Sequence, residues 1–237
     1  MNSPIENTKK AVIITGASGK IGLKILKVFL SLDFFVIAQY NTNEEVLNDF
    51  LENNPEVQDN VLLTSVDFHT NIEILASIMR DFQENICCLI NCAAVFKKGN
   101  LKNIDSLLEI LQVNDLVPLV LTDVYRKIIQ KGNIINILDG NVYRFNKNFQ
   151  NYRFSKRVLQ NLTEETALIY APDIRINGIA FGMLEEEKTQ SNTLAKSREI
   201  LKNEINEQSI SSGIQFLLSN ENITGQIIYL DNGVHLL

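Results

Sequence analysis

Short apolar segments alternate with longer segments of helical periodicity along the chain. The apolar segments predict strands at 11–15, 34–39, 61–66, 86–91, 133–138, 175–179 and 226–229. The segments between them predict helices at 20–32, 44–51, 71–85, 104–130, 152–170 and 209–218. The strands are apolar throughout rather than at every second position, which is typical of strands covered on both faces. The pattern therefore predicts a Rossmann-type α/β fold, a doubly wound parallel sheet of about seven strands with helices on both faces.

The length and the irregular stretches predict where a site would lie. A chain of 237 residues suits one α/β domain spanning 1–237. Pro118 predicts a kink or break inside the 104–130 helix. Two irregular stretches, 139–151 and 184–207, follow predicted strands. Because ligands of open α/β sheets bind beyond the carboxyl ends of the strands, both are candidate site loops, and 184–207 is a candidate substrate loop.

The charge balance argues against large anionic partners. The chain has 22 Lys and Arg against 28 Asp and Glu, a net charge of −6, and its basic residues are scattered. We therefore expect no nucleic-acid partner and no anionic membrane surface. The N-terminal segment has no apolar signal-peptide core, and no apolar run approaches the ~18 residues of a membrane span. We expect a cytoplasmic protein.

Cysteines and histidines are too few for a disulfide framework or a metal site. The three cysteines, Cys87, Cys88 and Cys92, are clustered and odd in number, which indicates reduced thiols. The only histidines are His69 and His235. We expect no metal, because a zinc site on Cys88 and Cys92 would lack a second pair of ligands.

A glycine-rich segment follows the first predicted strand and opens the first helix. It reads Thr-Gly-Ala-Ser-Gly-Lys-Ile-Gly over 15–22. The first glycine permits a tight turn, the last allows close packing of helix on strand, and free N–H groups at the helix start suit a pyrophosphate. The alternative is a simple glycine turn. The predicted cofactor-binding residues here are Gly16, Ser18, Lys20, Ile21 and Gly22.

Two positions favour NADPH over NADH. Lys20 lies in the first helical turn, where the helix dipole disfavours a cation unless an anion is near. The second strand is followed by Tyr40-Asn41, with no acidic residue to bind the ribose hydroxyls of NAD. We therefore expect Lys20 and Asn41 to border the 2′-phosphate of NADPH. The alternative for Lys20 is a solvated surface lysine.

Tyr152 and Lys156 are four residues apart and share one face of a predicted helix. A neighbouring ammonium stabilises phenolate and lowers the tyrosine pKa from about 10. Such a tyrosine can donate a proton to a carbonyl or imine while a hydride arrives from a cofactor. Tyr143 and Lys147 have the same spacing but lie in an Asn-rich stretch with a weaker helical pattern. We therefore assign the catalytic pair to Tyr152 and Lys156 and interpret Tyr143 as a loop aromatic.

Together these segments resemble the short-chain dehydrogenase/reductase family. The matching segments, in the family's order, are 15–22, Asp67, 91–94, Asn114 with Pro118, the Tyr152/Lys156 pair and 223–231. The resemblance implies that Asp67 contacts the adenine, that Asn91, Ala93 and Gly182 border the cofactor, that Lys156 also holds the nicotinamide ribose, and that Asn114 supports a proton-relay water.

The chain departs from the family pattern at four places. Lys20 stands where most members have glycine, and Asp139 ends the strand that usually carries a serine. The usual Pro-Gly after the sixth strand is Phe181-Gly182, and Cys92 replaces the second asparagine of Asn-Asn-Ala-Gly. A basic residue at 20 and an aspartate at 139 together resemble the pteridine reductase branch, including the dihydromonapterin reductases. In that branch an aromatic residue at the position of Phe96 stacks on the pterin.

The leading hypothesis is therefore NADPH-dependent reduction of the C=N bond of a dihydropterin or dihydrofolate. Asp139 would pair with the aminopyrimidine edge or relay a proton through Tyr152, and Phe96 would stack on the flat substrate. The alternatives are a capping aspartate in an ordinary turn and a packed loop aromatic. Lys97 and Lys98 would meet a folate glutamate or form a solvated charge pair.

Two other function classes remain open. One is a short-chain reductase or dehydrogenase for a small carbonyl, alcohol or 3-oxoacyl thioester, which a serine at 139 would have favoured. The other is a catalytically idle NADP(H)-binding protein, against which the intact Tyr152/Lys156 pair argues. The apolar faces of the helices at 104–130 and 152–170, together with the family resemblance, predict a homotetramer.

Overall fold

Seven parallel strands form one sheet in the order β3-β2-β1-β4-β5-β6-β7, which confirms the predicted fold class. The computed structural model describes residues 9–143, 146–183, 200–203 and 205–237. Most of the candidate substrate loop, 184–199 and 204, lies outside the described residues. The strands are β1 Ala11–Ile14, β2 Phe35–Tyr40, β3 Val61–Ser65, β4 Ile86–Asn91, β5 Gly132–Asp139, β6 Ile174–Phe181 and β7 Ile227–Leu230.

Helices connect successive strands, because parallel strands can be joined only by a crossover. They are α1 Lys20–Ser31, α2 Glu44–Glu52, α3 Glu73–Asp81, α4 Ile104–Leu111, α5 Val117–Ile128, α6 Gln150–Tyr170 and α7 Glu207–Ser219. Two short 3-10 turns, Pro55–Asn60 and Val234–Leu236, were not predicted. Within the part of the chain that the structure describes, no helix is long and apolar enough to cross a membrane.

The continuous apolarity of the strands reflects two hydrophobic cores, one on each face of the sheet. Every residue of β1 and β2 is buried. On one face the strands pack against α1 and α7, through side chains such as Phe29 and Ile214. On the other face they pack against α3 and α5, through side chains such as Met79 and Tyr125. Burial on both faces removes the polar-out alternation of a one-sided sheet.

The predicted 104–130 helix is divided, but not at Pro118 itself. A single π-helical turn, Gln112–Leu116, separates α4 from α5. Pro118 lies in the first turn of α5, where a missing N–H costs little. π turns widen a helix and reorient the side chains that they carry. This turn buries two consecutive polar residues, Asn114 and Asp115, against the sheet and α6.

The sheet topology brings the candidate site residues to one edge. The strand order reverses at β1, whose neighbours are β2 and β4, and this is the switch point where such sheets bind ligands. The glycine-rich turn follows β1, and Asp139 and Gly182 lie at the carboxyl ends of β5 and β6. The edge therefore collects residues that are more than a hundred positions apart in sequence.

Candidate active site

The glycine-rich turn between β1 and α1 is closed by backbone contacts that exclude side chains. Gly16 has φ +65°, and a Cβ atom there would lie 2.7 Å from the Ala93 Cα atom. A Cβ atom on Gly22 would lie 2.1 Å from the Gly16 carbonyl oxygen. Both positions therefore require glycine, as the sequence predicted. Among the described residues, the N–H groups of Lys20, Ile21 and Gly22 have no backbone acceptor and point out of the N-terminal end of α1.

Gln39 anchors this turn through hydrogen bonds. The sequence had not identified Gln39 as a site residue. The Gly16 N–H donates to Gln39 Oε1 (2.8 Å), and Gln39 Nε2 donates to the Val66 carbonyl (2.8 Å). The Ala17 N–H donates to the Gln39 carbonyl (2.8 Å). The signal was a glutamine in an otherwise apolar buried strand. Because the Gly16 N–H is already bonded, the donors left for an anion are those at the start of α1.

The residues predicted to border the adenosine half lie around the turn. Ser18 is half-buried, whereas Lys20 and Asn41 are exposed at the ends of the turn and of β2. Asp67 follows β3, where its Oδ1 accepts from the His69 N–H (2.9 Å) and its own N–H donates to Asn71 Oδ1 (2.7 Å). These bonds fix the Asp67 loop beside the open edge of the sheet. No acidic side chain stands directly after β2.

Thr15 ties β1 to the segment after β4. Its hydroxyl donates to the Ile90 carbonyl (3.3 Å) and accepts from the N–H groups of Cys92 (3.0 Å) and Ala93 (3.1 Å). Asn91 is buried, and its Nδ2 donates to Asn136 Oδ1 (2.8 Å). Asn91 Oδ1 is buried and meets no donor in the described residues. A buried acceptor of this kind fits a group that binds beside β4.

Lys156 is the most deeply buried cation of the site. It lies on α6 with 4% of its surface exposed, and its Nζ donates to the Ile137 carbonyl on β5 (2.8 Å). Burial lowers the pKa of Lys156, and Cys92, Asp115 and Asp139 oppose that shift. The ammonium therefore sits at the carboxyl edge of the sheet with negative or polarisable groups around it.

Tyr152 lies one turn before Lys156 and is half-buried beside two other aromatic rings. The Phe96 ring centroid is 4.7 Å from that of Tyr152, with the rings nearly perpendicular at 83°. Phe96 also stacks on Phe149, at 4.7 Å and 4° between the planes. Phe96 is 65% exposed, so this cluster leaves much of its ring open to solvent.

Phe149 was not predicted as a site residue. It directly precedes α6, and its segment pairs with the loop after β4 through Gly99. The Gly99 N–H donates to the Asn148 carbonyl (2.8 Å), and the Gln150 N–H donates to the Gly99 carbonyl (3.0 Å). The available signal was an aromatic residue three positions before Tyr152, at the end of the Asn-rich stretch. These bonds hold the Phe96 and Phe149 rings in register.

Asn114 lies in the π turn and joins the loop after β4 to α6. Its Oδ1 accepts from the Val95 N–H (2.7 Å), and its Nδ2 donates to the Val95 carbonyl (3.3 Å) and to Ser155 Oγ (2.9 Å). Ser155 Oγ in turn donates to the Tyr152 carbonyl (2.8 Å). Asn114 therefore positions the helix turn that carries Tyr152. Its part in a proton relay stays a prediction.

Asp139 is the last residue of β5 and uses only one of its carboxylate oxygens. Oδ1 accepts from the Asn141 N–H (2.6 Å), which is the bond of an ordinary Asx turn. Within the described residues Oδ2 makes no hydrogen bond to the protein, and the carboxylate is close enough to Lys156 to affect its pKa. The turn and a chemical role are therefore compatible in one side chain.

Gly182 follows β6, and Tyr143 lies in the loop after β5. The Gly182 N–H donates to the Leu230 carbonyl (2.9 Å), and a Cβ atom there would lie 2.8 Å from the Asp231 Cα atom. Tyr143 is exposed outside any helix, and its hydroxyl donates to Gln160 Oε1 (3.1 Å). Tyr143 is thus a loop aromatic, as interpreted from its sequence.

Among the described residues the cysteines form no disulfide, and the lysine after Phe96 forms a surface ion pair. Cys87, Cys88 and Cys92 are free thiols. No group of three or more His, Cys, Asp or Glu among the described residues could hold a metal ion. Lys97 pairs with the Glu109 carboxylate, as a surface charge pair does.

The sequence profile described as short chain dehydrogenase matches residues 10–197. The chain belongs to the short-chain dehydrogenase/reductase family. It is 23% identical over 237 residues to the dihydromonapterin reductase of Escherichia coli O6:K15:H31 (strain 536 / UPEC), covering 95% of this chain and 96% of that protein.

Two solved structures are similar over nearly the whole chain. One is the FolM alternative dihydrofolate reductase 1 from Brucella canis complexed with NADP, with 25% identity, a TM-score of 0.84, and coverage of 96% of this chain and 95% of that chain. The other is the FolM alternative dihydrofolate reductase 1 from Brucella suis in complex with NADP, with 25% identity, a TM-score of 0.86, and coverage of 98% and 97%.

This short-chain dehydrogenase/reductase has a site that fits the NAD(P) cofactor of its family. The free N–H groups at the start of α1, the close approach of Gly16 and Ala93, and the unpartnered Asn91 Oδ1 line one continuous edge. When bound there, the nicotinamide supplies or accepts a hydride. The residues that would hold the cofactor are those that line this edge, and the Tyr152 hydroxyl is the candidate proton donor beside it.

Tyr152→Phe tests the proton donor. We expect turnover to fall by at least ~10²-fold, because the ring is kept and the transferable proton is lost. Cofactor affinity, measured by the fluorescence of bound NADPH, should stay within about twofold, because the phenol contributes little to binding the rest of the dinucleotide. Tyr143→Phe is the matched control and should leave both quantities unchanged. Retained turnover in Tyr152→Phe would assign the proton to another group.

Proposed function

We propose that this protein is an NADPH-dependent reductase that transfers a hydride to the C=N bond of a dihydropterin or dihydrofolate. The observation that carries the proposal is the aromatic arrangement beside the catalytic pair: the exposed Phe96 ring lies 4.7 Å from the Tyr152 ring. A flat heteroaromatic substrate gains about 1 kcal/mol from stacking on such a ring, beyond the gain from burial. A small ketone gains nothing comparable.

The reaction needs one hydride and one proton. Bound NADPH would supply the hydride to the imine carbon, and Tyr152 Oη would donate the proton that the ring nitrogen takes. The Lys156 ammonium stabilises the resulting phenolate. Asp139 lies near Lys156 with Oδ2 unbonded, and a carboxyl group there can pair with the aminopyrimidine edge or pass a proton to Tyr152.

The names of the relatives support the same substrate class. The Escherichia coli relative is called a dihydromonapterin reductase, and the two Brucella structures are called alternative dihydrofolate reductases. All three match nearly the full chain at 23–25% identity. At such identity the residues of this chain's own site carry the argument, and the names agree with them.

We propose NADPH rather than NADH as the cofactor, with Lys20 and Asn41 at the 2′-phosphate. Both residues are exposed at the turn and at the end of β2, and the three residues directly after β2 carry no acidic side chain. The Brucella relatives were solved with NADP. The alternative of a solvated surface lysine predicts no cofactor effect for Lys20.

We also propose a cytoplasmic homotetramer of single-domain subunits, with 184–207 as the substrate loop and small molecules as the only other partners. Large apolar side chains are exposed on the α4–α5 segment and on α6. They are Leu108, Leu116, Val120, Leu168 and Ile169. Apolar patches of this kind mark subunit interfaces more often than bare surface.

A substrate panel tests the reaction class. NADPH oxidation is measured with dihydromonapterin, dihydrobiopterin, dihydrofolate and a simple ketone, and we expect turnover with at least one pterin. Turnover of the ketone alone would favour the short-chain carbonyl reductase, including 3-oxoacyl thioesters as substrates. No turnover of any compound, with tight NADPH binding, would favour the idle NADP(H)-binding protein.

Two variants of Asp139 separate its turn role from its chemistry. Asp139→Asn keeps an Oδ1 acceptor for the Asn141 N–H, whereas Asp139→Ser removes the carboxyl group and shortens the side chain. We expect both to lower pterin turnover at least ~10-fold, with NADPH affinity within about twofold. Full activity of Asp139→Asn would mean that the aspartate only caps the turn.

Lys20→Ala tests the cofactor preference. We expect NADPH to bind about tenfold more weakly, the loss of one ionic contact of ~1.4 kcal/mol, and NADH affinity to stay unchanged. Lys27→Ala is the control, because Lys27 lies on the same helix but pairs with Glu207. Equal affinity of the native protein for NADH and NADPH would contradict the proposal.

The oligomeric state is tested by light scattering of the native protein. We expect a mass about four times the 26.8 kDa of the chain. Leu168→Asp should lower that mass, because a charge in an apolar interface is costly to bury. Val46→Asp, on the exposed face of α2, should leave it unchanged. A monomeric native protein would contradict the tetramer.

A further inference from the structure

Asp115 is a buried carboxyl group that the mechanism above does not use. It follows Asn114 in the π turn, and only 2% of its surface is exposed. Neither carboxylate oxygen makes a hydrogen bond to the described residues. Buried carboxyl groups are normally paired or hydrogen-bonded, because taking a charge out of water is costly. A purely structural role therefore explains its presence poorly.

The charged partner of Asp115 is the Lys156 ammonium. Burial raises the pKa of Asp115 and lowers the pKa of Lys156, and the charge of each group opposes the shift of the other. The two are too far apart for a direct ion pair, since no contact within 4 Å joins them and Lys156 Nζ donates to the Ile137 carbonyl instead. Asp115 thus acts on Lys156 through the low-dielectric interior, where charges are weakly screened.

The other groups that face Lys156 cannot replace this charge. Burial raises the pKa of Cys92 to about 12, so its thiol is neutral over the working range. Asp139, at the end of β5, is partly open to solvent and bonded to the Asn141 N–H, so water screens part of its effect. Tyr152, one turn earlier on α6, is the group whose phenolate Lys156 stabilises in the proposed function. Asp115 is therefore the carboxyl group of the cluster that solvent screens least, and it becomes an anion in the alkaline range.

We propose that Asp115 is a positioning residue whose buried carboxylate keeps Lys156 charged and Tyr152 protonated in the alkaline range. The proposal rests on Tyr152 being the proton donor, which is part of the proposed function. Reduction consumes the Tyr152 proton, so a device that retains this proton as the pH rises keeps the acid loaded. Asn114, the neighbouring residue in the π turn, already fixes the helix turn of Tyr152 through Ser155.

The pH range follows from the titration of Asp115 itself. Burial raises its pKa to about 8, against the opposing effect of the Lys156 charge. Below about pH 8 the group is largely neutral and exerts little field. Above that pH it is charged, and a negative charge raises the pKa of every neighbouring acid. The charge of Asp115 therefore appears only in the alkaline range, where it opposes ionisation of neighbouring acids such as Tyr152.

The decisive experiment is an alkaline titration of Tyr152 in Asp115→Asn, which has the same shape without the charge. Phenolate formation is followed by ultraviolet absorbance, and the same protein carrying Tyr152→Phe is subtracted, so no substrate is required. We expect the Tyr152 midpoint to move down by about 1 pH unit. The alkaline limb of kcat/KM should move the same way. Asp123→Asn, which removes an exposed carboxylate of α5 paired with Lys127, should move neither.

Thermal stability gives a second readout. If Asp115 were only structural, its replacement would lower the Tm, whereas removal of a buried carboxyl group should raise it. The pKa of Asp115 is raised from 3.8 in the unfolded chain to about 8 in the folded protein. Between these two pH values the unfolded chain releases the proton more readily, so this group lowers the stability of the native protein progressively as the pH rises. The Tm of Asp115→Asn should therefore exceed that of the native protein by a margin that grows from about pH 4 to pH 8. Asp115→Ser provides the same comparison should the amide variant fail to fold.

The outcomes separate this inference from the proposed function. An unchanged Tyr152 midpoint in Asp115→Asn, or a Tm below that of the native protein at every pH, would overturn the role of Asp115 and leave the pterin reductase untouched. A pterin panel without turnover would overturn the substrate class alone. Full turnover in Tyr152→Phe would remove the acid, and the inference with it.

Discussion

The buried ammonium of Lys156 is the constraint on which the rest of the site depends. Removing a cation from water costs on the order of several kcal/mol unless the surrounding groups compensate. Here α6 packs along the face of β5 and β6, so that Nζ reaches the Ile137 carbonyl and stands close to the Asp115 and Asp139 carboxyl groups. The same packing brings Tyr152, one turn earlier, to the mouth of the site. In the proposed function, this buried Lys156 ammonium is the charge that would adjust the pKa of Tyr152.

A chain of buried polar side chains holds that packing in place. Asn91 donates to Asn136, Asn136 donates to Thr163, and Thr163 donates to the Leu159 carbonyl. These bonds run from β4 through β5 to α6, and they lie in an interior where an unmade hydrogen bond costs about 1–3 kcal/mol. Buried networks of this kind favour one arrangement of strands and helix over its alternatives. They therefore set the distance between the cofactor edge and the catalytic pair.

The aromatic cluster adds a second, more exposed constraint. Phe149 covers one side of the Phe96 ring, and the Gly99 backbone pairs hold the two loops together. The ring that faces solvent is thereby fixed in direction before any substrate binds, which lowers the entropy cost of binding a flat ligand. In the proposed function, the loops would select the substrate and the sheet edge and α6 would carry the reaction, as is common for functions built on this fold.

The sequence by itself determined the fold class, the glycine turn and the choice between two equivalent Tyr/Lys spacings. These features depend on periodicity and on neighbours in the chain, such as the helical pattern that follows Tyr152 and not Tyr143. Only the tertiary structure decided the contacts of Gln39 and Phe149 and the burial of Asp115. Their partners are Gly16, Phe96 and Lys156, which lie 23, 53 and 41 positions away. The π turn that orients Asp115 was equally hidden, because the sequence pointed to Pro118 while the irregularity lies just before it. Long-range packing, not local preference, sets such contacts, because a side chain's burial and electrostatic partners exist only once the sheet has assembled.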